Sequence, residues 1–183
     1  MEDSWRILCP NHDLYGKKVL VTAGPTWEFM DPVRFISNPS SGKMGYAMAK
    51  TAWYRGANVT VVSGPVSIQP PHGVEIIKVQ SAEEMKKAVM ERMEDSDYIV
   101  KAAAVGDYRP KTRLEEKIKR SGRETMEVVF EQNPDIAALA GSHKRSGQIL
   151  IGFAAESHDL EKNALDKITR KNLDFIVANK ISG

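Results

Sequence analysis

A chain of 183 residues is long enough for one domain with a sizeable core, and 42% hydrophobic against 27% charged residues excludes a disordered protein. A net charge of +2 gives no bulk argument for nucleic-acid binding, so any basic patch has to be local. The single cysteine, Cys9, excludes an intrachain disulfide and points to a reducing compartment, and His12, His72, His143 and His158 lack metal-site spacing.

Residues 1–16 lack a clear period and contain Pro10, Asn11, Asp13 and Gly16, so they read as a lead-in or linker. Lys18 to Ala23 is a short β-branched apolar run ended by Gly24 and Pro25, which predicts a buried strand, in the parallel pattern. Residues 24–41 form a long loop. A helix follows from about Gly42 to Arg55, with Met44, Ala47, Met48 and Ala52 on one stripe and Gly56 as its stop. Asn58 to Ser63 and Val74 to Val79 are the second and third strands, joined through Pro65, Pro70 and Pro71. Ser81 and Glu84 fit a capping box, and Met85, Ala88, Val89 and Met93 give helical spacing behind it. Asp97 to Ala102 is the fourth strand.

The segment from Ala103 to about Glu124 has no convincing period. From Arg109 on it carries Arg109, Lys111, Arg113, Lys117, Lys119, Arg120 and Arg123, with only Glu115 and Glu116 before Glu124. A fifth strand is expected over 125–130. Asn133, Pro134 and Asp135 then predict a helix start, with cap, proline in first position and acid in the first turn, and the helix stops at Gly141. Gln148 to Phe153 is the sixth strand. Asp159 to Lys171 is a helix with Leu160, Ala164, Leu165 and Ile168 inward, and Asp174 to Ala178 is the seventh strand. The alternation predicts an α/β protein with a mainly parallel sheet.

In such folds ligands bind beyond the carboxyl ends of the strands. That rule places residues 24–45, 103–107, 133–137, 153–156 and Asn179 along one rim. The most ligand-like stretch there is Asn38-Pro-Ser-Ser-Gly-Lys-Met-Gly45. Asn38 or Ser41 can cap the following helix, Gly42 and Gly45 allow close approach, and Lys43 adds charge where a helix start favours anions. The plainer reading is an ordinary capped helix. It is not a P-loop, since Ser37 stands where that pattern needs glycine and Met44 where it needs Ser or Thr. No dinucleotide fingerprint follows the first strand. The start of the chain is not a signal peptide and no apolar run reaches membrane length, so a cytoplasmic location is expected.

Taken together, these segments resemble the bacterial, CTP-using phosphopantothenoylcysteine synthetases. The matching pieces are Val21-Thr-Ala-Gly-Pro-Thr26, Asp31-Pro-Val-Arg34, Ile36 to Gly45, Ala102-Ala-Ala-Val-Gly-Asp-Tyr-Arg-Pro110 and Lys117-Ile-Lys-Arg120. Asn133 to Ile136, Gly152 to Glu156, Lys167 to Lys171 and Val177-Ala-Asn179 continue them in order, over roughly residues 17–180. Each piece alone is weak, and their order makes chance improbable. The resemblance implies a Rossmann-like three-layer fold with a mainly parallel sheet and a long basic flap. It also implies a ligase that joins 4′-phosphopantothenate to L-cysteine in coenzyme A synthesis. CTP activates the carboxylate as an acyl-cytidylate, the cysteine amine attacks, and CMP leaves. Cys9 is not required, because the reacting cysteine is the free amino acid.

Residue by residue, Asn38 matches the asparagine tied to conversion of the acyl-cytidylate, and Lys117 the flap lysine of the activation step. CTP contacts are implied for Ala103, Asp107, Lys117, Pro134, Asp135, Ile136, Ala137, Phe153, Lys167 and Lys171. Gly24, Pro25, Thr26, Ser40, Ser41, Gly42 and Lys43 are implied for the phosphorylated acid. Arg120 stands where the family usually has lysine, and Gly106 where it has alanine. Mg²⁺ with the nucleotide, a homodimer and a fused or adjacent FMN-dependent decarboxylase are implied as well. Metal ligands are not assigned, and neither nucleic acid nor membrane is an expected partner. Residues 1–16 then read as the junction from the upstream domain and 17–183 as the synthetase domain. The family continues past Val-Ala-Asn, so the chain reads as C-terminally shortened. Two alternatives stand beside this: a Rossmann-like nicotinamide oxidoreductase, and a non-catalytic module docking a flavoprotein. The basic run alone would read as a solvated loop or a nucleic-acid patch, although no aromatic residue beyond Tyr108 interleaves with it.

Overall fold

The apolar runs lie side by side and point one way. In the computed structural model, which describes residues 2–119, 124–156 and 159–180, the chain opens with helix α1 (Glu2–Leu8) and strand β1 (Lys18–Ala23). A small hairpin, β2 (Glu28–Phe29) and β3 (Phe35–Ile36), precedes α2 (Lys43–Tyr54), β4 (Asn58–Ser63), β5 (Glu75–Lys78), α3 (Ala82–Met93) and β6 (Tyr98–Lys101). Then come β7 (Tyr108–Pro110), β8 (Phe130–Gln132), α4 (Ile136–His143), β9 (Ile149–Glu156), α5 (Leu160–Arg170) and β10 (Phe175–Lys180).

Six strands form one sheet in the order β10-β9-β6-β1-β4-β5, and every pairing is parallel. The chain enters at β1, winds outward through β4 to β5, crosses back to β6 and winds outward the other way. The direction of winding reverses between β1 and β6, where loops diverge and leave a crevice. Right-handed crossovers then put α2 on one face and the later helices on the other. Tyr46, Ala49, Ala52 and Trp53 of α2 pack on Val19, Val21, Val59 and Val61. Met85, Val89 and Met93 of α3, with Ile136 and Ala140 of α4, cover Leu20, Val62, Ile99 and Leu150. Burying one such side chain contributes about 1.5–3 kcal/mol.

Local chemistry fixes the start of α3. Ser81 Oγ accepts from the Glu84 N–H at 3.2 Å, as a capping box requires, while the Glu84 carboxylate reaches the Gln80 N–H instead of that of Ser81. The buried Glu28 carboxylate accepts from the Ala82 N–H at 3.0 Å, a negative charge where the α3 dipole favours one. α2 begins differently from expectation. Its cap position is Gly42, at φ 75°, and no side chain caps it.

The α2 stripe is also rotated from the expected one. Met44 and Ala47 are exposed, and Gly45, Tyr46, Ala49, Ala52 and Trp53 are buried. Gly45 sets this rotation, since a Cβ there would lie 2.6 Å from that of Ala23. Leu165 of α5 is 65% exposed, against the inward position expected for it. The strand expected over 125–130 does not form there; only Phe130–Gln132 pairs, antiparallel, with Tyr108–Pro110. α4 starts at Ile136 with Asp135 as its cap and runs past Gly141 to His143. The lead-in contains α1, whose Arg6 lies 4.9 Å over the Trp53 ring. No helix among the described residues is long and apolar enough to cross a membrane.

Candidate functional site

The loop after β6 is zipped to the loop after β1. The Ala103 N–H donates to Thr22 Oγ1 (3.2 Å), Ala104 N–H to the Gly24 carbonyl (2.9 Å) and Gly106 N–H to Thr26 Oγ1 (3.0 Å). Gly24, Pro25 and Thr26 are therefore buried, and they brace the neighbouring loop instead of lining the cavity beside it. Asn133 holds the same loop from the far side: its N–H donates to the Asp107 carbonyl and its side-chain amide to the Gly106 carbonyl, both at 2.8 Å. Asn38 closes the third side, donating from Nδ2 to the carbonyls of Ala104 (3.3 Å) and Val105 (3.1 Å). It is a clasp between loops, not the helix cap that its spacing allowed.

Beside this braced loop lies a cavity of about 900 Å³, at the carboxyl ends of the central strands. Asn38, Ala103 and Asp107 stand on its walls. Pro134, Asp135, Ile136 and Ala137, at the start of α4, form another side, and Phe153, Lys167 and Lys171 complete it. All the residues expected to touch a nucleotide, apart from flap Lys117, share this one space. Phe153 both lines it and packs on the α2-side core.

Ser40, Ser41, Gly42 and Lys43 stay outside the lining. Ser40 and Ser41 accept long bonds from the N–H groups of Gly42 (3.4 Å) and Lys43 (3.5 Å), which shapes the turn into α2. Lys117 is exposed and also away from the cavity; Arg120 lies outside the described residues. The basic segment is tethered through the fully buried Asp31. Its Oδ1 accepts from Val33 and Arg34 N–H groups, both at 2.7 Å, and its Oδ2 from the Ile118 N–H at 3.0 Å. Burial alone would raise the Asp31 carboxyl, but these three N–H bonds and the Arg34 guanidinium hold it below the usual carboxylate range. Arg34 also donates to the Ile118 carbonyl (2.7 Å), and Arg113 sits 5.0 Å over the Phe29 ring. Asp31→Ala is expected to release residues 111–119 and to speed tryptic cleavage there by about tenfold or more, read by limited proteolysis.

The cavity is cationic on one side. Lys171 Nζ lies 2.9 Å from Asp135 Oδ2, and Asp135 Oδ1 accepts from the Ala138 N–H at 3.0 Å. Burial opposes ionisation of Asp135, yet the Ala138 bond, Lys171 and Arg170 together keep its carboxyl below the ordinary range. The lining also contains residues the sequence reading passed over: Lys101, Tyr108, Gln132, Asn133 as a polar side chain, and Arg170. Lys101 had a signal, a charged residue inside a buried parallel strand; Tyr108, Asn133 and Arg170 lay within matched segments without an assigned contact, and Gln132 had no signal. Gly106 has room to spare, since a Cβ there would meet nothing nearer than Glu28 Cγ at 3.5 Å, and its φ is not positive. Gly106→Ala is expected to raise stability by about 0.4–1 kcal/mol in denaturant melts without changing ligand affinity.

A family described as "DFP: DNA/pantothenate metabolism flavoprotein C-terminal domain" matches residues 14–183. The "Coenzyme A biosynthesis bifunctional protein CoaBC" of Vibrio cholerae is 50% identical over 170 residues, which is 92% of this chain and 43% of that protein. The Bacillus subtilis protein of the same description is 49% identical over 170 residues, 92% of this chain and 41% of its own. The chain thus spans about two fifths of the length of these curated relatives. A crystal structure described as the C-terminal domain of CoaBC superposes with a TM-score of 0.81 at 44% identity, covering 92% of this chain and 80% of that one.

Proposed function

Since this chain belongs to the family of DNA/pantothenate metabolism flavoprotein C-terminal domains, we propose that it couples 4′-phosphopantothenate to L-cysteine with CTP. The observation that carries this reading is the gathering of Asn38, Asp107, Phe153, Lys167 and Lys171 on one cavity at the strand ends. Their chemistry suits a phosphorylated acid and a triphosphate. A carboxylate oxygen attacks the α-phosphate and pyrophosphate departs, then the cysteine amine attacks the acyl carbon and CMP departs. Lys167, Lys171 and the N-terminus of α4 would offset the phosphate charge, and Phe153 offers a face for the base. Lys117 would reach the cavity when its segment folds over, adding charge during activation. Asn38 would turn its amide from the two carbonyls to the oxyanion that forms on amine attack.

Mg²⁺ suits a site of this kind, because it keeps phosphate and water ligands and takes only one or two carboxylates. Asp107 is exposed and its carboxylate has no partner among the described residues, so it is the one that would join the ion; Asp135 is engaged by Lys171 and Ala138. There the ion would withdraw charge from the triphosphate. The domain division at residue 17, an upstream decarboxylase, a homodimer and a cytoplasmic setting belong to the same reading. The bifunctional descriptions of its longer relatives support the decarboxylase.

Thermal shift with CTP, ATP and GTP tests nucleotide choice, and CTP is expected to raise the melting temperature well beyond the other two. Pyrophosphate release should require CTP, Mg²⁺ and phosphopantothenate together. Equal shifts with all three nucleotides, or a response to NADH alone, would count against the ligase.

A further inference from the structure

Lys101 closes β6, in register with Thr22 and Gly152. Strand alternation puts it on the face of Ile99, beneath α4 and the end of α5. It is 8% exposed and lines the cavity, and its Nζ has no hydrogen-bond partner among the described residues. A buried ammonium without an acceptor is costly, and methionine would fill the same volume without that cost.

We propose that Lys101 is a binding residue of the cavity floor, whose ammonium takes an anionic phosphate oxygen of the bound nucleotide and gains a proton from solvent as it does so. The inference rests on the nucleotide reading above and deepens it. The charges around the cavity favour it. Asp135 attracts Lys101, but its oxygens already serve Lys171 and the Ala138 N–H. Lys171 repels it, Arg170 and Lys167 add positive charge to the same wall, and Asp107 stands on another wall. An anion entering this space meets more cations than carboxylates. Burial is the main force on Lys101; with Lys171 it outweighs Asp135 and brings the amine down to about 7. Near neutral pH the amine is then part protonated before the ligand arrives. A phosphate oxygen against it favours the ammonium, so binding takes up a proton, and affinity falls as pH rises above that value.

Calorimetric titration with CTP and Mg²⁺ in two buffers of different ionisation enthalpy reads this directly. At about pH 8, close to one proton should be taken up per CTP, falling toward none at about pH 6. Lys101→Met should weaken CTP by about tenfold or more and abolish the uptake, with its fold checked by an unlowered melting temperature. CTP binding by the wild type with no uptake, or unchanged affinity and uptake in Lys101→Met, overturns the assignment. Should CTP not bind at all, the nucleotide reading falls, and inorganic pyrophosphate becomes the probe. Proton uptake with pyrophosphate that depends on Lys101 supports the anion site, and its absence overturns that as well.

Discussion

Replacing Asn38 by alanine is expected to leave CTP-dependent pyrophosphate release nearly intact while slowing product formation by about 10²–10³, the usual effect of losing one oxyanion donor. The acyl-cytidylate should accumulate and be recoverable by rapid quench and mass spectrometry. The structure gives a reason to separate the two half-reactions. The Asn38 amide nitrogen donates to the Ala104 and Val105 carbonyls, at the cavity wall and not within its cationic side. Because Asn38 is exposed, water can replace it at those carbonyls, so the stability cost is expected to stay near or below about 1 kcal/mol. An equal fall in both half-reactions would show that the residue only clasps two loops together.

Lys101→Met has the opposite character, a gain in stability with a loss in binding. The amine falls from its ordinary 10.5 in the unfolded chain to about 7 in the fold, with burial as the main cause. Between these values the unfolded chain holds more protons, so wild-type stability rises with pH through that window. Below about pH 7 the penalty is fully present, and above about pH 10.5 it is gone. The ligand-free variant should therefore melt higher than the wild type by roughly 5 °C or more near pH 6, with the gap closing toward pH 10. A gap that does not change with pH would show that the methionine simply packs better.

The sequence made the parallel sheet plain because its strands are buried on both faces and so read as continuous apolar runs, as in Val19 to Ala23 and Val59 to Val62. The rim followed from the fold rule; Asp107, Phe153 and Lys171 of it line one cavity, while residues 24–26 and 40–43 do not. Short antiparallel pieces were invisible. β7 and β8 pair across an excursion of about twenty residues, and the apolar alternation before Phe130 misled, since Met126 and Val129 are exposed. The Asn38 side chain looked like a cap because local spacing allows one, yet its partners lie 66 and 67 residues away. Such long-range bonds leave no local mark. Lys101 was legible only as an anomaly, and its meaning needed the cavity.

The carboxylate of Asp135 already occupies Lys171 before any ligand comes. A phosphate that took Lys171 would compete with this resident rival, and any bond given up would subtract from the affinity gained. The same rival stands ready, tethered at the start of α4, to reclaim the amine. On the proposed reading, spent nucleotide would thereby be eased out of a site that would otherwise hold its own product.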